Sequence, residues 1–384
     1  MSKSNETTPN VPTLRFKKYD TNWDRKKLSD YVKKITRKNS NNVIKNVICN
    51  SAQNGLIPQL DFFDKEIANN ENTAGYYIIS NGDFVYNPRK SLSAPYGPVN
   101  IYKYDSDGIV SPLYLCFSVD DCINKSFLLQ RFKSPCWYRY IYLNGDSGAR
   151  HDRVSIKDEV FLSQPINLPN AEEQAVIAEF LEKIDERISV QNKIISKYET
   201  LIKGLCDILF IKTEENALPL KAITSIDKGQ QINGLSLAKT GKYYYLNGGI
   251  TPSGYVDAYN TLENTIAISE GGNSCGFVSY NTQKFWSGGH CYTLKIKGTQ
   301  CRSKFLFFYL KYREKDIMQL RVGSGLPNIQ KKSLENFVVP LPTFEKQCYI
   351  ERVLESITAK KEIETALLGQ FQSQKKFLLS KMFI

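Results

Sequence analysis

The chain has 384 residues, of which 41% are hydrophobic and 23% charged; that length exceeds what one hydrophobic core organises and points to about two or three domains. Tyrosine at 23 and phenylalanine at 20 favour strand-rich regions and exclude an all-helical chain. A formal net charge of +12 implies a polyanionic partner, with nucleic acid the commonest for a soluble protein, although an Asn- and Lys-rich composition raises the charge on its own.

The opening stretch, MSKSNETTPNVPTLRF, has no apolar core of signal-peptide length, and no later stretch approaches the ~18 apolar residues that cross a bilayer. A cytoplasmic location without membrane contact is expected. Nine cysteines run from Cys49 to Cys348 without a CxxC pair, which fits reduced, mostly buried thiols, and two histidines in all give no basis for a metal cluster. Neither a metal nor a cofactor is expected.

Residues 12–167 hold short β-branched and aromatic runs punctuated by Gly, Pro, Asn and Asp, such as YYIISNGDFVYNP at 76–88, and read as strands and tight turns. Within them Tyr86-Asn87-Pro88-Arg89 comes close to the Asn-Pro-Pro-aromatic motif with which amino-methyltransferases hold a flipped base. Here Arg89 replaces the second proline, Lys90 stands where an aromatic would stack, and no cofactor-binding glycine motif precedes it. A methyltransferase site is therefore not expected. Asn87, Arg89, Lys90 and Ser91 form a polar, basic turn that either reads base edges and grips phosphates or simply faces solvent.

Next comes LPNAEEQAVIAEFLEKI at 168–184, which returns as LPTFEKQCYIERVLESI at 341–357, an offset of 173 residues. The match continues without a gap, through Tyr198 and Phe371, Leu205 and Leu378, to LFI at 209–211 and MFI at 382–384. Each copy reads as a helix of about 40 residues. Proline stops any helix running in from upstream, Asn170 and Thr343 are N-cap candidates, and Glu172, Glu173 and Glu345 suit the first turn.

In the first copy Ile177, Leu181, Ile184, Ile188, Gln191, Ile195, Tyr198, Ile202, Leu205 and Leu209 alternate steps of four and three, which is a heptad seam. The second reads Ile350, Leu354, Ile357, Lys361, Glu364, Leu368, Phe371, Lys375, Leu378 and Met382, and its three charged entries predict a weaker middle. Each helix packs on its own domain or the two pack on each other. Two seams of equal length in one chain favour an intramolecular, antiparallel coiled coil.

Residues 213–340 return to strand texture, as in NTIAISEGGNSCGFVSY at 264–280. Gly272 to Gly276 fits GxSxG, with Ser274 as nucleophile and His290 as base, but GFVSY reads as a strand where a nucleophile elbow needs a helix, and no acid lies between Ser274 and His290. The glycine-rich turn is better suited to joining strands or to letting backbone amides approach a phosphate or base edge. The two variable regions share little sequence beyond their edges, where KKLSDYVKKITRKN at 26–39 echoes LPLKAITSIDKGQQIN at 218–233.

The paired LPxxEEQ and LPxxEKQ helix starts resemble those of the specificity subunits of type I restriction-modification systems. YYLNGGITPSGYVDAYN at 244–260, NTIAISEGGNSCGFV at 264–278 and FWSGGHCYTLK at 285–295 look like one class of target-recognition domain. NGLIPQLDFF at 54–63, GDFVYNPRKS at 82–91, YGPV at 96–99 and GIVSPLYLCF at 108–117 look like another, and GSGLPNI at 323–329 resembles the segment that ends such a domain. The resemblance implies an α+β chain with target-recognition domains at 1–167 and 213–340. Each is followed by a long helix, at 168–212 and 341–384, the two packed as an antiparallel coiled coil about a pseudo-two-fold.

It further implies a subunit without chemistry of its own. Such a subunit reads a split, asymmetric double-stranded DNA target, one half per domain, and positions two adenine-N6 methyltransferase subunits and ATP-dependent motor-nuclease subunits. Asn87, Arg89, Lys90 and Ser91 in the first domain, and Ser253, Tyr255, Ser269, Asn273 and Ser274 in the second, are the expected DNA-facing residues. The spacer seam is expected at Ile177, Leu181, Ile184, Ile188, Ile195 and Ile202 against Ile350, Leu354, Ile357, Leu368, Phe371 and Leu378. A helix of about 40 residues spans roughly 60 Å, close to two DNA turns of about 34–36 Å each. The competing reading is a free-standing coiled-coil DNA binder of architectural or regulatory type.

Overall fold

The computed structural model describes residues 10–59, 73–146, 152–211, 216–234, 237–323 and 325–384. Parts of NGLIPQLDFF, GSGLPNI and SGARHDRVSIKDEV, the segment at 147–160, lie outside the described residues. The chain divides into two compact units, 1–190 with 367–384, and 191–366. Each unit thus combines one strand-rich region with half of each long helix.

In the first unit a four-stranded antiparallel sheet runs in the order Val32–Lys34, Leu115–Val119, Phe84–Tyr86, Val99–Ile101. Phe84, Tyr86 and Phe117 turn one face of it toward helix Lys125–Lys133, where they meet Phe127, Phe132, Trp137 and Phe161 in the core. These large aromatic and β-branched side chains fit a pleated, half-covered surface, which is why the short runs become strands. Asn124 caps the helix by accepting from the amide of Phe127 at 3.0 Å. A two-stranded ribbon, Asp24–Lys27 with Pro165–Leu168, closes the region just before the long helix begins.

The second unit repeats this plan. Its sheet runs Thr224–Lys228, Cys291–Ile296, Thr265–Ser269, Val278–Asn281, again antiparallel throughout. Helix Ser303–Tyr312 follows the second strand of that order, as Lys125–Lys133 does in the first unit, and the ribbon Ala217–Pro219 with Val338–Pro340 precedes the second long helix. The echo at the domain edges has a structural basis. Leu28 and Leu220 are both fully buried, and each donates its amide back to the closing segment, to the carbonyls of Gln164 and Phe337. Two regions with little sequence in common therefore share one fold.

They differ in what is inserted between the first and second strands, and between the third and fourth, in chain order. The first unit carries the hairpin Ile48–Ser51 with Gly55–Pro58, and the pair Tyr77–Ile79 with Gly108–Val110. The second carries the ribbon of Tyr243–Leu246, Gly254–Val256 and Trp286–Ser287.

The long helices run from Ala171 to Ile211 and from Phe344 to Met382. Asn170 and Thr343 cap them, accepting from the amides of Glu173 at 2.9 Å and Lys346 at 3.4 Å. Every position of the expected seam is buried or half-buried, whereas most positions flanking it are exposed. Pairing is antiparallel in both units. Lys375 bonds Asp185 and Arg187 stacks on Phe371 in the first, and Lys361 meets Glu199 at 3.0 Å in the second.

Each charged seam entry has a cross-helix partner. Gln191 donates to the Glu364 carbonyl at 3.0 Å and also to its carboxylate. These two residues are equivalent positions of the repeat, so the two copies meet each other at that level. A polar pair in an apolar seam costs stability and fixes register.

Candidate nucleic-acid interface

The repeated motif is a joint. Gln174 donates to the Pro169 carbonyl at 2.9 Å and accepts from the amide of Asn124, the cap of helix Lys125–Lys133, at 3.0 Å. Gln347 donates to the Pro342 carbonyl at 2.9 Å and accepts from the amide of Arg302, the cap of helix Ser303–Tyr312, also at 2.9 Å. Both glutamines are buried. A buried carboxamide with both ends bonded ties each long helix to the first turn of its own domain's helix.

Ion pairs reinforce the joints. Arg15 grips the buried Glu173 with two bonds of 2.7 Å, and Arg302 grips Glu351 at 2.8 and 3.0 Å. The hydrogen bond to Glu173 holds the Arg15 pKa above its ordinary value against burial. At the far end of each helix an equivalent phenylalanine enters the other core. Phe383 meets Phe127 at 5.3 Å, and Phe210 meets Phe305, Tyr309 and Tyr312 at 6.1, 5.3 and 5.4 Å.

The two candidate loops occupy equivalent stations. Asn87–Ser91 follows strand Phe84–Tyr86 and leads to Val99–Ile101; Glu270–Ser274 follows strand Thr265–Ser269 and leads to Val278–Asn281. Each loop is clipped by two backbone bonds to the segment that precedes the domain's last short helix. In the first domain Lys90 donates to Asp152 and Val154 to Pro88, at 2.8 and 2.9 Å. In the second Gly272 donates to Pro327 and Ile329 to Glu270, at 3.1 and 2.8 Å.

In the first domain Asn87, Arg89, Lys90 and Ser91 line one cleft of about 440 Å³, together with Asn50, Tyr114 and Arg153. Asn87 is largely committed to the fold, donating to the Asn50 carbonyl at 3.1 Å and accepting from the Arg89 amide at 3.0 Å. Ser91 accepts from the Ala94 amide at 3.1 Å, closing the turn. Arg89 is 68% exposed and loosely paired with Asp152 at 3.9 Å. Gly97 needs its left-handed φ of 86° and has no room for a Cβ, which would stand 2.1 Å from the Asn87 carbonyl.

In the second domain Ser253 and Asn273 are exposed, Tyr255 and Ser274 half-buried. Ser269 is buried, at 4% exposure, with its hydroxyl donating to the Gly248 carbonyl at 2.5 Å. It braces the loop of Gly248 against the loop of Gly271, and has no face left for DNA. Beside it Glu270 accepts from Lys228 at 2.6 Å and from the Tyr292 hydroxyl at 3.1 Å.

Ser274 stands in a single turn that leads into strand Val278–Asn281 and not into a helix, so the elbow geometry is not formed. Among the described residues no group of His, Cys, Asp and Glu is arranged to hold a metal. Burial pushes the thiols of Cys116, Cys206 and Cys301 up to about 12 and that of Cys291 to about 11, which keeps them protonated and inert. No helix among the described residues is long and apolar enough to cross a membrane.

Arg153, Gln174 and Gln347 acquire roles that the residue pattern did not assign. The glutamines were visible as a repeat, but their partners at Asn124 and Arg302 are 50 and 45 residues away. Arg153 gave no signal beyond its charge.

Two like domains with unlike loops, each bonded to the start of its own copy of a repeated helix, define a two-domain recognition protein. Residues 20–200 and 216–371 match the family described as the type I restriction modification DNA specificity domain, and the chain belongs to that family. A protein of Mycoplasma pneumoniae named as a type I specificity subunit is 35% identical over 123 residues, 32% of each chain. One of Mycoplasma genitalium, named likewise, is 26% identical over 174 residues, 43% of this chain and 45% of its own. The chain thus spans from about a third to under half the length of these two relatives.

The type I restriction enzyme MjaVIII specificity subunit of Methanocaldococcus jannaschii is 24% identical over 312 residues, 71% of this chain and 69% of its own. The crystal structure of the type I restriction-modification S subunit from M. genitalium superposes with a TM-score of 0.66 at 18% identity, covering 97% of this chain and 99% of that one. A second structure, from work on complex assembly and conformational transition of the type I system, gives 0.56 at 16% identity, covering 93% and 96%.

Proposed function

We propose that the chain is the DNA sequence-specificity subunit of a type I restriction-modification enzyme, reading one half of a split, asymmetric target with residues 1–167 and the other with residues 213–340. The segments at 168–212 and 341–384 are the spacer that fixes the distance between half-sites. The observation that carries this reading is the pairing of equivalent loops, clipped the same way onto one fold, with different side chains. A shared scaffold with different loops is what two unlike half-sites require.

In this reading Arg89 and Lys90, and Ser253, Tyr255, Asn273 and Ser274, face DNA, whereas Asn87, Ser91 and Ser269 shape the loops that present them. The net charge of +12 supplies the salt-dependent grip on phosphates. The chain contributes no bond-breaking step; two adenine-N6 methyltransferase subunits and the motor-nuclease subunits dock on the assembly and act where it places them. The setting is the cytoplasm.

The test is co-expression with an adenine methyltransferase subunit, followed by methylation-sensitive sequencing of the host genome and native mass measurement of the purified complex. A split motif with modified adenines, and two methyltransferase subunits per chain, is the expected result. Tight sequence-specific binding by a chain that recruits no methyltransferase would instead establish a free-standing binder.

A further inference from the structure

The clip opposes residues from the two segments. Arg89 and Arg153 are partners in an antiparallel bridge, so their side chains leave the same face side by side. Two guanidinium groups there repel each other, and Asp152 reaches Arg89 only at 3.9 Å. Arg153 lines the cleft, half-buried, and its Nε is covered with no hydrogen-bond partner among the described residues. Among the described residues no carboxylate pairs with Arg153, and a half-buried guanidinium in that setting gains from any acceptor that completes it.

The second domain carries the same station. Gly271 and Asn328 are the bridge partners there, with a glycine in the loop and an exposed asparagine on the terminal segment. A Cβ on Gly271 would stand 3.8 Å from that of Asn328, so of the two bridge partners only the asparagine presents a side chain.

We infer that the segment ahead of each domain's last short helix supplies a base-reading residue: Arg153 reads a guanine in the first half-site and Asn328 an adenine in the second. The chemistry follows from the donor patterns. A guanidinium donates twice to the O6 and N7 of guanine; a carboxamide donates to N7 and accepts from N6 of adenine. A phosphate contact would suit the rim, where Arg89 already offers an exposed cation and Lys90 a half-buried one. Arg153 instead lies inside a cleft walled by Asn50, Asn87 and Tyr114. The backbone bonds between Lys90 and Asp152 and between Val154 and Pro88 hold it there, which is the pre-organisation that base discrimination needs.

This inference rests on the proposed DNA-reading function. It is tested by selecting a randomised double-stranded DNA library on the full chain and on Arg153→Ala, Arg153→Lys and Asn328→Ala, with affinities measured across a salt series. The wild-type chain should enrich a split motif. Arg153→Ala should lose preference at one guanine of the first half-site, by roughly 5- to 150-fold, and leave the second half-site intact. The retained half-site shows that the variant is folded. Arg153→Lys should weaken the same preference less than Arg153→Ala while keeping the salt dependence, and Asn328→Ala should relax one adenine of the second half-site only.

If Arg153→Ala enriched the unchanged motif, or weakened all sequences evenly with a salt slope reduced by about one, the residue would be a bystander or a phosphate contact and the inference would be wrong. If the wild-type chain enriched no motif, the DNA-reading function itself would fail, and this inference with it.

Discussion

Gln347→Leu tests whether the repeated motif is a joint or only a helix start. Leucine matches the glutamine in size, so the change removes polarity and little volume. Three part-buried bonds to backbone groups are lost, from the Arg302 amide and to the carbonyls of Gln300 and Pro342, all at 2.9 Å. An orphaned buried group costs about 1–3 kcal/mol, and part-burial puts each of these near the low end. Because the three sit together and relax together, the sum is about 2–4 kcal/mol of local stability. That corresponds to roughly 30- to 900-fold faster opening of the joint.

Hydrogen exchange of the full chain, read by mass spectrometry, reports this directly. Amides of helix Ser303–Tyr312 and of the first turns after Phe344 should lose that much protection, whereas Lys125–Lys133 in the other unit stays as in the wild type. Gln174→Leu should produce the mirror result. If the variant folds and the exchange of 302–312 is unchanged, the glutamine does not hold the helix to the domain, and the explanation of the repeat is wrong.

Phe383→Ala should destabilise the first unit by about 3–5 kcal/mol in urea denaturation, since a ring at 5% exposure leaves a cavity against Phe127; Phe210→Ala should do the same to the second unit. Inserting four residues, about one turn or 6 Å, in both long helices should lengthen the preferred spacer between half-sites by about two base pairs. An unmoved spacing in the methylated motif would end the ruler idea. Acid should loosen the helix pair near Asp185. Burial works against this carboxylate, but Lys133 and Lys375 outweigh it and hold its pKa below the ordinary value. A depressed carboxylate stabilises above the unfolded value of about 3.9 and loses that contribution as pH falls through the folded value. Asp185→Asn should flatten the stability profile of the first unit below about pH 4, and an unchanged profile would show that the pair contributes nothing. Burial and Lys133 lower the pKa of Lys375, but that lysine stays protonated through the acid range and adds no slope there.

The long helices, their caps and their seam were legible in the sequence because helical periodicity is local: a side chain's face follows from its position in a 3.6-residue repeat. The 173-residue repeat likewise announced two copies of one joint, and family membership followed from it. Two other things were decided by tertiary structure alone. The shared fold of the two strand-rich regions was hidden, since strand pairing joins residues far apart and tolerates any apolar set of suitable shape.

The fate of polar residues was hidden for a related reason. Ser269 reads like Asn273 in the sequence, but only one of them turns its side chain inward to Gly248. Lys361, Glu364 and Lys375 looked like defects until their partners at Glu199, Gln191 and Asp185 lay opposite. Arg153 became a candidate only because a backbone clip sets it beside Arg89. Which surface a polar group serves depends on partners that the chain brings from elsewhere, and local pattern carries no information about them.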